Sequence, residues 1–151
     1  MSELKSKLQR DLNEAIKSRN TVVAETIRMV LAAITNEEVA GKEKKELSDA
    51  EVITVLTREA KKRREAAEAF EQGGRADKAA AERAEGEVIA TYLPAQLSEA
   101  ELNQLITETI AAVGASGPSD MGKVMGALKA KVAGKADGAT VSNLVKAALA
   151  Q

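Results

Sequence analysis

SDAEVITVLTREAKKRREAAEAFEQGG, residues 48–74, is the stretch whose reading decides the fold class. Ser48 and Glu51 make a capping box, in which a hydroxyl and a carboxylate satisfy backbone N–H groups left open at a helix start. Behind it, Val52, Ile53, Val55, Leu56, Ala60 and Ala67 recur at helical spacing and close with Phe70. Gly73-Gly74 then supplies a C-cap and a turn. The stretch therefore predicts a helix with one apolar face.

The same pattern extends in both directions. Upstream, Leu4, Leu8, Leu12, Ala15 and Ile16 predict a first helix that breaks near Arg19-Asn20. Thr21 is expected to cap a second helix, with Val23, Ile27, Val30, Leu31 and Ile34 on its buried side, running out near Gly41. Lys42 to Glu46 reads as a solvated connector. Downstream, an alanine-rich helix is expected from about Arg75 to Tyr92, with Ala80, Ala84, Val88 and Ile89 as its core. Residues 1–93 thus read as an N-terminal four-helix domain.

Leu93-Pro94-Ala95-Gln96-Leu97 is the expected boundary, because proline stops a helix and biases Leu93 towards extended backbone. A second capping box, Ser98 with Glu101, opens a helix lined by Leu102, Leu105, Ile106, Ile110 and Val113 and ending at Gly114. Gly117-Pro118-Ser119 reads as a turn, followed by helices at about 120–133 and 138–150. Residues 98–151 then form a small C-terminal three-helix bundle. No segment alternates with period two for long enough to make a strand, so the fold class is all-α.

Composition narrows the chemistry. Hydrophobic residues are 44% and charged residues 30% of 151, enough for a core and a soluble surface. Phe70 and Tyr92 are the only aromatics, so the core must be aliphatic. Without cysteine or histidine there is no thiolate or imidazole nucleophile, general base or metal ligand. Catalysis would have to run on carboxylates, lysines and hydroxyls, and neither metal nor cofactor is expected. Met1-Ser2-Glu3-Leu4-Lys5 lacks a signal-peptide core and no apolar run reaches membrane length, so a cytoplasmic location is expected.

The densest basic run is Arg58-Glu59-Ala60-Lys61-Lys62-Arg63-Arg64-Glu65. On a helix Glu59 meets Arg63, Lys61 meets Glu65 and Arg64 meets Glu68, a pattern that reads as a solvated face pairing with itself. Residues Gly117 to Lys123 match the spacing of a phosphate-binding loop, but Val124 stands where the magnesium-binding hydroxyl should be. A helix rather than a strand precedes that segment, so the phosphate-loop reading is set aside.

The tail is more informative. With Met121 at zero and about 100° per residue, Val124, Met125, Leu128 and Val132 make one buried stripe. Gly122, Gly126 and Ala130 fall at about 100°, 140° and 180°, a smooth strip beside it. Mid-helix glycine costs roughly 0.5–1 kcal/mol against alanine, so Gly126 should have a reason. Close approach of a neighbouring helix is one; close approach of a ligand backbone, with Lys123, Lys129 and Lys131 on the rim, is the other. Asp137 is a natural N-cap for the last helix, beside which Lys135 would suit a phosphate. From Pro118 onward five lysines stand against Asp120 and Asp137, leaving +3 there and −4 in the rest of a chain whose total is −1.

Several of these pieces carry a resemblance: Arg28-Met29, Tyr92-Leu93-Pro94-Ala95-Gln96-Leu97-Ser98, Met121-Gly122-Lys123-Val124-Met125, Gly134-Lys135-Ala136-Asp137-Gly138, and Val141 through Leu149. Over nearly its whole length the chain resembles the YqeY family. Residues 98–151 are similar, more loosely, to the C-terminal tail domain of GatB, the B subunit of tRNA-dependent Asp/Glu-tRNA amidotransferase. The resemblance implies a two-part helical fold and a carbon–nitrogen ligase label with glutamine as amide donor. The kinase-like and glutaminase parts that do that chemistry have no counterpart here. It also implies tRNA, or amidotransferase or aminoacyl-tRNA synthetase components, as partners. The leading expectation is a non-catalytic, tRNA-binding or amidotransferase-associated helical module, with Gly122, Lys123, Gly126, Lys129, Lys131 and Lys135 contacting the RNA backbone. Two alternatives stand beside it, a protein–protein adaptor that binds no RNA and an accessory to the amidating ligase.

Overall fold

The computed structural model describes residues 2–150. Among them the order is α1 (Glu3–Lys17), α2 (Thr21–Glu38), α3 (Asp49–Gln72), α4 (Ala76–Ala90), α5 (Glu99–Val113), a 3₁₀ turn at Pro118–Asp120, α6 (Met121–Val132) and α7 (Gly138–Leu149). No strand occurs among the described residues, so the protein is all-α. The helices gather into two compact units, residues 1–94 and 95–151.

The first unit is built on Leu8, Ile27, Val30, Ile34, Leu47, Val52, Val55, Leu56 and Ile89, all at most 2% exposed. Ser2 caps α1 by accepting from the Lys5 N–H at 2.9 Å. The cap of α2 is Asn20, whose Oδ1 accepts from the Val23 N–H, and not Thr21 as the sequence led us to expect. Asn20 carries the side-chain acceptor one residue earlier, and Thr21 becomes the first helical residue. Helix α2 stops at Glu38, short of Gly41. Glu38 is the reason the following connector is not free. Its buried carboxylate pairs with Lys5 at 2.8 Å and accepts from the Leu47 N–H, while its carbonyl accepts from the Lys45 N–H. Lys5 holds this carboxylate below the usual range.

Both halves of the Ser48–Glu51 capping box form. Leu47 just before the cap and Val52 four residues inside the helix share the core, a hydrophobic staple that fixes the entry of α3. Gly74 joins α3 to α4 at φ +76°, a conformation that favours glycine. On α4 the buried residues are Ala79 and Ile89, whereas the expected Ala80 is exposed and Ala84 only half-buried. Alanine gives so little hydrophobic contrast that this helix does not declare its inward face.

The second unit packs Leu102, Ile106, Val124, Leu128, Val132, Val141, Val145 and Leu149. The Ser98–Glu101 capping box forms, and Gly114 at φ +68° closes α5. The expected turn at Gly117-Pro118-Ser119 is a short 3₁₀ helix that runs directly into α6. Asp137 caps α7 through the Thr140 N–H at 2.9 Å. The strand of chain between α6 and α7 is held by Gln96 Nε2 donating to the Gly134 carbonyl and the Leu97 N–H donating to that of Lys135.

Candidate nucleic-acid interface

Helix α6 turns Val124, Leu128 and Val132 inward, and these set the direction of everything else on it. Opposite that stripe lie Lys129, Gly122, Gly126, Ala130 and Lys123, in that order around the helix over about 120°. All five are exposed. A side chain built at Gly122 or Gly126 would meet nothing within 4 Å. A neighbouring helix of its own unit is therefore not the reason for either glycine. The face is open and small in the middle, with a lysine at each edge.

Lys131 and Lys135 do not belong to this face. Lys131 stands about 80° beyond Lys123, on the flank nearer the buried stripe. Lys135 is exposed in the turn after α6, where its own carbonyl is used by Leu97. Among the described residues no ion pair or side-chain hydrogen bond engages Lys123, Lys129, Lys131 or Lys135. The phosphate position imagined beside Lys135 is already occupied by a carboxylate, because Asp137 accepts from both the Thr140 N–H and its hydroxyl. At the start of α6, Asp120 accepts from the Ser116 N–H at 2.9 Å, and that bond holds its carboxyl below the usual range. The free cations thus lie along α6, from Lys123 in its first turn to Lys129 and Lys131 near its end, with Lys135 in the turn that follows.

Sequence reasoning expected the Glu59–Arg63 and Lys61–Glu65 pairs, and both form, but it missed that the first of them is buried. Arg63 and Glu59 are each 8% exposed, not part of a solvated face, with Arg63 Nη1 2.8 Å from Glu59 Oε2. Arg63 Nη2 donates to the Met29 sulfur, and Nε makes no hydrogen bond, with Glu85 Oε2 at 3.6 Å. Burial pushes the Glu85 carboxyl up, Glu82 adds to the rise, and Arg63 opposes it. Arg64, expected to pair with Glu68, has no ion-pair partner among the described residues. The signal for burial was present: Val52, Leu56, Glu59, Arg63 and Ala67 continue one stripe at spacings of four and three.

A second network sits on Tyr92. Its hydroxyl donates to Asp11 Oδ2 at 2.5 Å, Lys7 reaches the same oxygen at 2.6 Å, and the Lys7 ammonium lies 4.9 Å from the ring centre. Lys7 and then Tyr92 hold Asp11 low, while burial and Asp11 push the phenol up. Among the described residues no cluster of carboxylates could hold a metal ion, and no helix is long and apolar enough to cross a membrane.

Residues 5–149 match the family model described as Yqey-like protein. No curated protein matches the chain.

Proposed function

The chain belongs to the YqeY family, and on that premise we propose that it is a non-catalytic helical module that binds tRNA or works alongside an amidotransferase. Its contact surface would be the outward face of α6. The observation that carries this reading is the open glycine face, where a Cβ at Gly122 or Gly126 would meet nothing and unpaired Lys123 and Lys129 stand at the edges. A smooth surface rimmed by cations admits a sugar–phosphate backbone closely, and contact with backbone reads shape rather than base sequence. Lys131 and Lys135 would add long-range attraction from the flank and the following turn. The resemblance to the amidotransferase tail domain read from the sequence of residues 98–151 would point the same way. It favours an outer, chemistry-free contact with the body of the RNA.

The test is binding of the purified chain to total tRNA at low and moderate salt. Neutralising phosphates releases counterions, so affinity should fall steeply between about 50 and 200 mM salt. Replacing Lys123 and Lys129, the two lysines at the edges of the face, by alanine should weaken binding and reduce the slope of log affinity against log salt by about two. An unchanged affinity in that double variant removes the proposal. Protein partners recovered after nuclease treatment, with no tRNA bound beforehand, would leave the adaptor reading in its place.

A further inference from the structure

The corner between α1 and α2 holds a recess of about 340 Å³, lined by Ala15, Ile16, Arg19, Thr21, Glu25 and Arg28 among others. Two arginines line it, one from just past the end of α1 and one from the second turn of α2. Neither is engaged: among the described residues no ion pair or side-chain hydrogen bond involves Arg19 or Arg28. Among the described residues Arg58, Arg63, Arg75 and Arg83 of this unit meet carboxylates, whereas Arg10 and Arg64 stand unpaired like Arg19 and Arg28; what sets Arg19 and Arg28 apart is that they line one recess together. Glu25 lines the same recess and lies within ion-pair distance of neither. Among the described residues, two arginines without an ion-pair partner therefore line one concavity although a glutamate lines it too.

Arg19 is also an unexpected residue for its backbone. It adopts φ +57°, the only non-glycine residue in the left-handed region among those described. The Asn20 N–H bonds back to the Ala15 carbonyl, a helix ending that glycine makes at lower cost. The chain places a guanidinium where its conformation asks for no side chain.

We propose that this recess binds a phosphate group through Arg19 and Arg28. The planar guanidinium fork matches two phosphate oxygens, and the exposed Ile16 offers apolar surface for the organic part of the ligand. The phosphate belongs either to a nucleic-acid strand or to a free phosphate compound. The site is distinct from the α6 face in the other unit, so its failure and the failure of the tRNA reading are separable.

The experiment is a titration of inorganic pyrophosphate into the full chain in phosphate-free buffer, followed by NMR of backbone amides and arginine Nε–H groups. Saturable shifts should centre on Arg19, Thr21 and Arg28. The double substitution Arg19→Gly with Arg28→Ala should lower affinity by roughly tenfold per guanidinium removed. Glycine suits φ +57°, so the loss would not come from unfolding. Glu25→Gln should tighten pyrophosphate binding, because it removes a carboxylate from the recess. Absent saturation, or an affinity unchanged in the double variant, overturns the proposal. With binding established, the same variant tested on tRNA identifies the source. A tenfold loss with the α6 lysines intact assigns the site to a nucleic-acid strand, and an unchanged tRNA affinity assigns it to a free phosphate compound.

Discussion

At Arg19 the backbone holds φ +57°, which for a side chain larger than glycine costs free energy that, among the described residues, no hydrogen bond or ion pair of its own side chain offsets. Arg19→Gly should therefore raise the urea midpoint by an amount equivalent to about 0.5–1 kcal/mol. An unchanged or lowered midpoint would show that the arginine contributes to stability. Glu85 poses the opposite question. Its pKa lies above the ordinary carboxylate value, first from burial and then from Glu82. The folded state thus favours its neutral form, and the charged form costs stability once pH exceeds the folded pKa. Glu85→Gln should raise the midpoint at pH 7, and the gain should shrink as pH falls through the carboxylate range. A loss at pH 7 would mean that the 3.6 Å approach to Arg63 outweighs burial. The buried Arg63–Glu59 pair was not legible from charge alone, because opposite charges four apart suit a solvated helix equally well. Only their position on the stripe begun by Val52 and Leu56 distinguishes the two cases, and there the apolar period outranks the charge pattern.

Helix starts were the most legible elements, because a capping box is a local signal that tertiary packing rarely overrides. Ser48 and Ser98 each accept the N–H of a glutamate three residues on, at 3.2 and 3.1 Å. Ser48→Ala and Ser98→Ala should each cost about 1 kcal/mol, read from denaturation midpoints. A cost near zero for either would show that water replaces the cap. The inward face of α4 was illegible, since a run of alanines offers no contrast between Ala79 inside and Ala80 outside. On α6 the buried stripe was readable from Val124, Leu128 and Val132, but the reason for the glycines beside it was not. Spacing cannot say whether a neighbouring helix covers a position; the open space over Gly126 answers that. Gly126→Ala should therefore stabilise the second unit by about 0.5–1 kcal/mol. If the face admits an RNA backbone, the same substitution should also weaken tRNA binding. A variant that gains stability and keeps its tRNA affinity would separate the glycine from the interface.

Each unit has its own buried cluster, and those clusters differ in how much they can lose. Residues 95–151 rest on eight buried aliphatic residues, of which Val124, Leu128, Val141 and Val145 are fully enclosed. A unit of this size rarely holds more than about 3–5 kcal/mol of stability. Leu128→Ala removes most of a buried side chain at a cost of about 2–5 kcal/mol, comparable with the whole. We expect this single change to unfold α5, α6 and α7 while leaving the first unit folded around Ile27, Ile34 and Leu56. Amide hydrogen exchange reads both at once. Protection should collapse from residue 99 onward and persist in α1 to α4. The functional proposals then separate in the same sample. Binding to tRNA through α6 should disappear, whereas pyrophosphate binding at Arg19 and Arg28 should survive. Loss of protection throughout the chain would mean that the two units unfold as one.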